Sequence, residues 1–476
     1  MLSNKSLILI ALLVIATSLG AFSISDTYFG YRYPAFDARS MAMGGAGVFN
    51  DMRPAAFLQN PANITVQKRF AGLHIATMVN RADDTRMIPL YNSFDNYIDD
   101  AVYASNINAF TQFAGAGFAT IGISNFRFGL GAYQQPVLSF DGVYTEEIRN
   151  NRNTDDDGYP EKIAQNDIDN EGSLYKTGAA ISMAYAFSEY VDLNLGFDFG
   201  MMNADIEQKT TIRWTDWSRQ QVDDGVVLPE YTRIADWDLE GEQLKFGAAF
   251  RLGPHFGLGW SYIPKTTLTR EGTDFTYREA YRNTPADSTW VSLDSDYDLP
   301  SEMRLGLTYY PRNIMRTVFS LDLEMVDYSQ NMDFLDPVYN IYAGVEHHVV
   351  NSIPLRLGFQ AVNSYHIDME DSIDEEGNSI TLYSANKILN PMITGGSSVQ
   401  IAKNIVLDLG FGYAWREYEA LDLFGDAYYN DKIYTGSSSY SLWPNQYIDL
   451  QNRGWENPDK VKENFITLNA GLSFSW

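Results

Sequence analysis

The sequence predicts an all-β protein: a 14-stranded antiparallel transmembrane β-barrel with an N-terminal hatch, or plug, in its lumen. Three observations support this fold class. Apolar and polar residues alternate with a period of two in many separate segments, as they do in half-buried strands. Tight turns alternate with long polar loops between these segments, which is the connection pattern of outer-membrane barrels. The polar face of several segments consists of small residues, whereas a water-facing surface would be rich in charge.

Composition excludes several classes of protein. The chain has 476 residues, no cysteine and a formal net charge of -27, and aromatic residues make up 14% of it. Without cysteine, the chain forms neither disulfides nor a thiol-ligated metal site. The acidic balance argues against a duplex nucleic acid as partner, because phosphate contacts need clustered Lys and Arg.

Residues 1–23 have the order of a secretory signal peptide. Lys5 precedes an apolar run from Leu7 to Ala16, and small residues follow between Gly20 and Ser23. The run is too short to cross a bilayer as a helix, and the alternative is a buried N-terminal helix. No later stretch approaches about 18 uninterrupted apolar residues, so we expect no transmembrane helix.

Residues 24–68 are predicted to form the hatch. Small residues are dense in this segment, alternation is missing, and glycines and prolines interrupt regular elements. A wide pore lined by polar residues would leak solutes unless an internal segment blocked it, and a glycine-rich segment can be repacked at low steric cost. The alternative is a periplasmic linker. The candidate gating residues are Gly44, Gly45, Gly47, Asn60, Pro61 and Ala62.

Residues 69–476 are predicted to form the barrel. The alternation test gives fourteen strands. Because each predicted boundary carries an error of about two to four residues, a count of twelve or sixteen strands is also compatible with the pattern. The predicted strands are 69–79, 116–124, 126–141, 174–187, 190–208, 239–252, 256–271, 299–310, 316–328, 340–350, 354–366, 391–401, 404–418 and 464–476.

The last strand shows which way the faces point. In "ITLNAGLSFSW", Ile, Leu, Ala, Phe and Trp form one face, while Thr, Asn, Gly and Ser form the other. A barrel of fourteen strands is too wide to be filled from its own wall, least of all by Gly, Ser and Ala. The large apolar face must therefore point to lipid, where closure satisfies every ladder hydrogen bond. The predicted interfacial aromatic girdle comprises Trp260, Tyr262, Tyr309, Tyr413, Trp415 and Trp476.

The hatch and two late hairpins carry a resemblance to a known family. "ARSMAMGGAGVFNDMRPAAFLQNPANI" resembles the N-terminal hatch of the FadL/TodX family, above all in its Gly-rich step and in Asn60-Pro61-Ala62. "IYAGVEHHVVNSIPLRLGFQA" and "ITGGSSVQIAKNIVLDLGFGYAW" resemble hairpins late in that family. The resemblance implies an outer-membrane channel that takes up long-chain fatty acids or other hydrophobic compounds without a cofactor. The external loops show no such resemblance, so the ligand is left open.

The third predicted strand, "RFGLGAYQQPVLSF", bears on ligand release. Gly129, Gly131 and Pro136 weaken its ladder, because proline lacks a donor and glycine permits a bent backbone. The resemblance implies that ligand leaves sideways into the membrane through a gap at an inward kink of this strand. Lateral exit also avoids re-exposing apolar surface to water, at about 25 cal/mol for each Å². The alternative is an ordinary bulge that bends the wall.

Charged residues at inward positions allow two interpretations. They guide a carboxylate, or they form cross-strand ion pairs in a polar lumen. The second interpretation is favoured, because a headgroup site needs cations that are not already paired. These residues are Asp192 and Asp198 beside Lys245 and Arg251, and Arg304 beside Asp322 and Glu324.

The acidic loop 146–171 contains a partial calcium pattern. Asn153, Asp155 and Asp157 occupy offsets 1, 3 and 5 of a calcium loop, but Ala164 stands where a bidentate Glu is expected. The favoured alternative is a solvated acidic loop, and no other metal site is expected.

The sequence gives no support for a catalytic function, since it contains neither an HExxH nor a GxSxG motif. We therefore expect a non-enzymatic channel of the bacterial outer membrane. Its expected partners are a hydrophobic small molecule or lipid, and the lipids of that membrane. The alternative is a FadL-like barrel that acts as a structural or secretion-machinery partner at the cell surface.

Overall fold

The computed structural model describes residues 28–476, apart from residues 34, 92–96, 150–161, 217–230, 281–284, 315, 351–352, 374–378 and 421–458. The predicted signal peptide and the calcium candidates Asn153, Asp155 and Asp157 lie outside the described residues. In the described part of the chain, no helix is both long and apolar enough to cross a membrane.

In the described residues, fourteen antiparallel strands close into a barrel, which confirms the predicted all-β barrel and its strand count. A two-residue strand, β1 (Tyr31–Arg32), precedes the wall. The wall closes where its last strand pairs with its first, from Lys460 opposite Met87 to Ser475 opposite Gly72. The wall strands are β2 (Ala71–Tyr91), β3 (Tyr97–Ile123), β4 (Phe126–Ser139), β7 (Ser173–Ser188), β8 (Val191–Trp214), β9 (Tyr231–Leu252), β10 (Phe256–Ile263), β13 (Ser301–Tyr309), β14 (Val318–Asp327), β15 (Val338–Val350), β16 (Ile353–Ile373), β17 (Ser379–Ala402), β18 (Ile405–Ala420) and β19 (Asp459–Ser475).

Two further hairpins continue the wall beyond its shorter strands. They consist of β5 (Gly142–Arg149) with β6 (Lys162–Glu171), and of β11 (Thr266–Arg278) with β12 (Asp287–Leu299). β6 pairs with the far half of β8, and β11 pairs with the first half of β9. The sequence prediction was wrong here, because it placed one strand at 256–271 and none within 142–173. Both hairpins carry charged residues on both faces, so the alternation of a lipid-facing strand is missing.

Side chains of the wall have the predicted orientation. In β19, Leu468 is 48% exposed on the outer face, whereas Thr467, Asn469 and Ser473 are buried inside. Large apolar side chains are exposed in the same way on the other wall strands. A closed sheet with such an exterior is stable in lipid, because closure pairs its first strand with its last.

The described residues between 28 and 67, here called the N-terminal segment, pack against the inner wall. The segment contains α1 (Ala38–Ala42), a 3-10 helix at Pro54–Leu58 and α2 (Asn63–Val66). Asp37 caps α1 by accepting hydrogen bonds from its first backbone amides. Every residue of both α-helices is buried. Helices this short are not stable in isolation, so their conformation depends on contacts with the wall.

Candidate functional site

A chain of buried ion pairs joins the N-terminal segment to the wall. Arg39 donates to Glu346 (2.9 Å), Arg356 donates to Glu346 (2.6 Å) and to Asp408 (3.0 Å), and Arg53 donates to Asp408 (2.6 Å). Burial lowers the pKa of the Arg39 guanidinium, but the facing Glu346 carboxylate outweighs burial and raises this pKa above its usual value. The balance is the same for the pKa of Arg53, which burial lowers and Asp408 raises, so both arginines stay charged.

The Gly-rich step lies against the wall with little space between. Gly44 has a φ of +68°, and its amide donates to Thr394 Oγ1 (2.9 Å). A Cβ on Gly358 of β16 would collide with the Gly44 backbone, so glycine is needed on both sides of this contact. The Gly47 amide donates to Asp322 Oδ2 (2.8 Å), and the Gly45 carbonyl accepts from the Arg304 guanidinium (2.6 Å).

Asn60, Pro61 and Ala62 form a second attachment. The Asn60 amide donates to the carbonyls of Val48 (2.8 Å) and Ala248 (3.0 Å), and its oxygen accepts from the Ala62 amide (3.0 Å). One side chain therefore links two parts of the segment to the backbone of β9.

A cavity of about 160 Å³ lies between the N-terminal segment and the strands β4, β7 to β10, β13 and β14. Apolar groups such as Phe36, Leu58, Pro136 and Ile263 form part of its lining. Its charged lining residues are Arg32, Asp37, Lys176, Asp198, Lys245, Glu302, Arg304 and Glu324.

Three of the four cavity cations are neutralised by carboxylates. Arg32 lies 2.9 Å from Glu302, Arg304 lies 3.0 Å from Asp322, and Lys176 pairs with Asp198. Lys245 forms no ion pair with any described residue. Its Nζ donates to the backbone carbonyl of Leu58 at 2.8 Å.

The pairing of the inward charges partly agrees with the sequence prediction. Arg304 pairs with Asp322, and Arg251 lies 3.5 Å from Asp192, as expected. The expected pair of Asp198 with Lys245 is wrong, although the two residues are opposite each other in register. Lys176 of β7 binds Asp198 instead.

Gly200 explains this exchange of partners. Lys176 passes directly over Gly200, where an added Cβ would lie 2.7 Å from its Cγ. The missing side chain leaves Lys176 room to reach along β8 to Asp198, and Lys245 has no carboxylate partner among the described residues.

The wall is interrupted next to the cavity. The ladder between β3 and β4 ends at Gly115 opposite Gln134. The end of β4 pairs instead with β1 of the N-terminal segment, where Tyr31 lies opposite Ser139 and Arg32 opposite Leu138. The end of β4 therefore leaves β3 and joins the N-terminal segment inside the barrel.

The three candidates for a lateral opening have different positions. Pro136 lines the cavity and lies at a register shift between β4 and β7, beyond the end of the β3 ladder. Gly129 and Gly131 lie within the regular ladder. An added Cβ would collide with Ile64 at Gly129, and would lie 3.0 Å from the Phe57 ring at Gly131. The two glycines thus make room for the N-terminal segment.

Sequence reasoning missed the residues that hold the N-terminal segment. Glu346 and Arg356 lie opposite each other on β15 and β16. Both are inward charges on strands with an apolar outer face, where a charge requires a partner, and this was an available signal. Their link to Arg39 and Arg53 is not visible in the sequence, because the partners are more than 300 residues apart. In the described ranges, no cluster of three or more His, Cys, Asp or Glu is arranged to hold a metal.

No protein-family profile and no curated protein sequence matches this chain. Solved structures match it in fold. A FadL homologue from Pseudomonas aeruginosa is similar with a TM-score of 0.58 and 11% identity, over 94% of this chain and 99% of its own. The toluene transporter TbuX from Ralstonia pickettii has a TM-score of 0.52 and 15% identity, over 93% and 99%. The toluene transporter TodX from Pseudomonas putida has a TM-score of 0.53 and 14% identity, over 94% and 98%. The chain therefore has the fold of FadL- and TodX-type channels, as the hatch and late hairpins predicted.

Proposed function

We propose that this protein is a passive, non-enzymatic channel of the bacterial outer membrane that takes up hydrophobic molecules and releases them sideways into the bilayer. The observation that carries the proposal is the cavity at the end of the β3 ladder, lined by Pro136. A molecule held there is next to the interruption in the wall. Lateral release spares it an aqueous passage, which would cost about 25 cal/mol for each Å² of apolar surface exposed. The fold shared with toluene transporters supports this proposal.

The proposed ligand carries a carboxylate at one end of an apolar body. Lys245 supports this choice, because it is a cavity cation without an acidic partner in the described structure. Phe36, Leu58 and Ile263 offer apolar contact for the rest of the ligand. A neutral hydrocarbon would leave the ammonium group without a counter-charge. Long-chain fatty acids meet both requirements.

The N-terminal segment is the proposed plug of the resting channel. Gly44, Gly45 and Gly47 approach the wall through their backbone, and Asn60 joins two parts of the segment to β9. Support comes from the burial of α1 and α2 inside the wall.

Replacing Lys245 with Met tests the proposed ligand class. We expect the Lys245→Met protein to bind radiolabelled laurate about 10- to 150-fold more weakly, because a hydrogen bond to a charged group contributes about 1.5–3 kcal/mol. Binding of radiolabelled toluene should not change. Lys403→Met is the matched control, since Lys403 is exposed in a tight turn and forms no ion pair with a described residue.

Two results would contradict these assignments in different ways. Equal loss of laurate and toluene binding would mean that Lys245 supports the cavity without selecting a carboxylate. Cells that lack the protein but take up both compounds normally would contradict the channel function itself. Loss of particular surface proteins in those cells would favour the secretion-partner alternative.

A further inference from the structure

The strand β12 has one edge that pairs with no described strand. Over its whole length, Asp287–Leu299, it pairs with β11 on the other side without a register shift. Its free side rises above the neighbouring part of the wall, because β14 ends at Asp327 opposite Ser301, where β13 begins. We call this unpaired side the free edge of β12.

The free edge presents backbone groups that lack a described partner. At Asp298 the edge is covered, because the Asn331 amide donates to the Asp298 carbonyl. In an antiparallel strand, the backbone groups of every second residue point to the same side, so those at even positions before Asp298 also point to the free edge. No described residue bonds the backbone N–H and C=O groups of this set, which comprises Ser288, Trp290, Ser292, Asp294 and Asp296.

The comparable edge of the other extra hairpin is closed by side chains. Asn106 and Asn108 of β3 donate to backbone carbonyls of β5 at 3.2 and 2.7 Å. Edge strands are also commonly blunted by Lys, Pro or a bulge, because an open edge can pair with another chain. The strand β12 contains neither Lys nor Pro, and its ladder has no bulge. Its free edge can therefore accept a further strand.

The outer face beside the free edge is acidic. Four exposed carboxylates lie opposite one another on β8, β9, β11 and β12, namely Asp205, Asp238, Glu271 and Asp294. Like charges opposite each other on neighbouring strands are destabilising, and none of the four forms an ion pair with a described residue. A strand added to β12 would extend this row by one position, where Lys or Arg would lie beside Asp294.

We propose that the free edge of β12 docks an extended, cationic segment of another protein. Main-chain hydrogen bonds to the edge supply affinity, and Lys or Arg beside Asp294 and Asp296 supplies specificity. A second copy of this chain fits less well, because antiparallel self-pairing centred on Val291 and Ser292 would place Asp287 opposite Asp296. The free edge lies on the side of the long connections, which the predicted topology places outside the cell. The partner is therefore met at the cell surface, and docking does not depend on ligand uptake.

Binding of a synthetic strand to the full-length protein in detergent tests the proposal. The probe is a fluorescent peptide of about seven residues that alternates Lys and Val, and its counterpart alternates Glu and Val. We expect only the cationic peptide to raise fluorescence polarisation. Asp294→Asn/Asp296→Asn should weaken its binding about 2- to 30-fold, as expected for the loss of two exposed ion pairs. Glu417→Gln/Glu419→Gln is the matched control, since it removes two exposed carboxylates from β18 and should leave binding unchanged.

Residue-resolved hydrogen exchange shows whether the peptide adds as a strand. Binding should slow exchange of the Trp290, Ser292 and Asp294 amides, which face the free edge. The Val291 and Leu293 amides point to β11, so their exchange should not change. Ser292→Pro removes one edge donor and should weaken binding about 2- to 12-fold. The exchange pattern of the unaltered protein decides the question even if this variant folds poorly.

Several results would overturn the proposal in different ways. A cationic peptide that does not bind at low ionic strength would exclude the docking site, and equal binding of the acidic peptide would exclude selection by charge. Binding without protection at alternate amides would mean that the peptide lies on the acidic face and not along the edge.

Two further results would identify a different occupant. Alternating protection that appears without peptide as the protein concentration rises would assign the free edge to a second copy of this chain. Slow exchange of the Trp290, Ser292 and Asp294 amides in the protein alone, at every concentration, would mean that another segment of the same chain already covers the edge.

Discussion

The attachment of the N-terminal segment to the wall can be weakened at Asp408 without disturbing the ladder. Asp408 is fully buried and accepts from Arg53 at 2.6 and 3.0 Å and from Arg356 at 3.0 Å. In Asp408→Asn, two buried guanidinium groups lose their shared counter-charge. Removing one partner of a buried ion pair costs about 3–5 kcal/mol.

This cost should appear as release of the segment and not as unfolding of the barrel. The backbone pairs of β18 with β17 and β19 do not involve the carboxylate. At about 1.4 kcal/mol for each factor of ten, the ratio of attached to released segment should fall by roughly 10² to 10⁴. Released segments expose the pore, so we expect frequent large openings in planar bilayers and faster proteolysis within residues 28–67.

Glu417→Gln is the matched control on the same strand. Glu417 lies 3.6 Å from Lys462 on the exposed surface, where an ion pair contributes about 0–1 kcal/mol. This variant should behave as the wild type does. If Asp408→Asn gives the same conductance and the same protection from protease as Glu417→Gln, the ion-pair chain does not hold the segment.

Further predictions concern the plug, the exit and the topology. Deleting residues 24–66 should leave an inserted barrel with large, steady conductance, because the wall strands pair with one another apart from the two-residue pairing of β1 with the end of β4. A deletion that conducts no better than the intact chain would show that the segment does not occlude the pore. Pro136→Val restores a donor at the end of β4 and should lower uptake of hydrophobic substrate without lowering barrel abundance or external binding. Normal transport by this variant would exclude Pro136 from the exit route. The unheated protein should migrate faster on a gel than the boiled protein, and protease on intact cells should cut within 142–173 or 419–463. Cleavage confined to Ser188-Glu189 or Ala402-Lys403 would invert the topology.

The wall could be predicted from the sequence because lipid imposes a local rule on every strand. Alternation in β8, β9 and β19 needs no knowledge of distant residues, and it led to the correct number of wall strands. The alternation test did not detect the hairpins β5–β6 and β11–β12, because their sequences carry charge on both faces and resemble loops.

The details of the site depended on contacts that no local pattern records. Register correctly places Asp198 opposite Lys245. The actual partner of Asp198 is decided by Lys176 of the neighbouring strand β7, which uses the space over Gly200 to reach along β8. Similarly, the carboxamides of Asn106 and Asn108 on β3 donate to backbone carbonyls of β5, and both residues resemble ordinary inward polar residues until the course of β5 is known. Predicting these contacts requires the path of a neighbouring strand, and the alternation pattern does not give that path.

The attachment of the N-terminal segment also sets an order of assembly. The segment precedes the wall strands along the chain, yet Arg53 binds Asp408, and the Phe36 carbonyl accepts from Asn469 at 3.1 Å. Those partners lie more than 350 residues further along the chain. They belong to the two strands that complete the circle with β2. Until these two strands are in place the segment cannot complete its docking, and loop closure over such separations is slow. Docking must therefore coincide with or follow closure of the circle, and a nascent chain that stalls before β18 lacks the partners that would bury its own beginning.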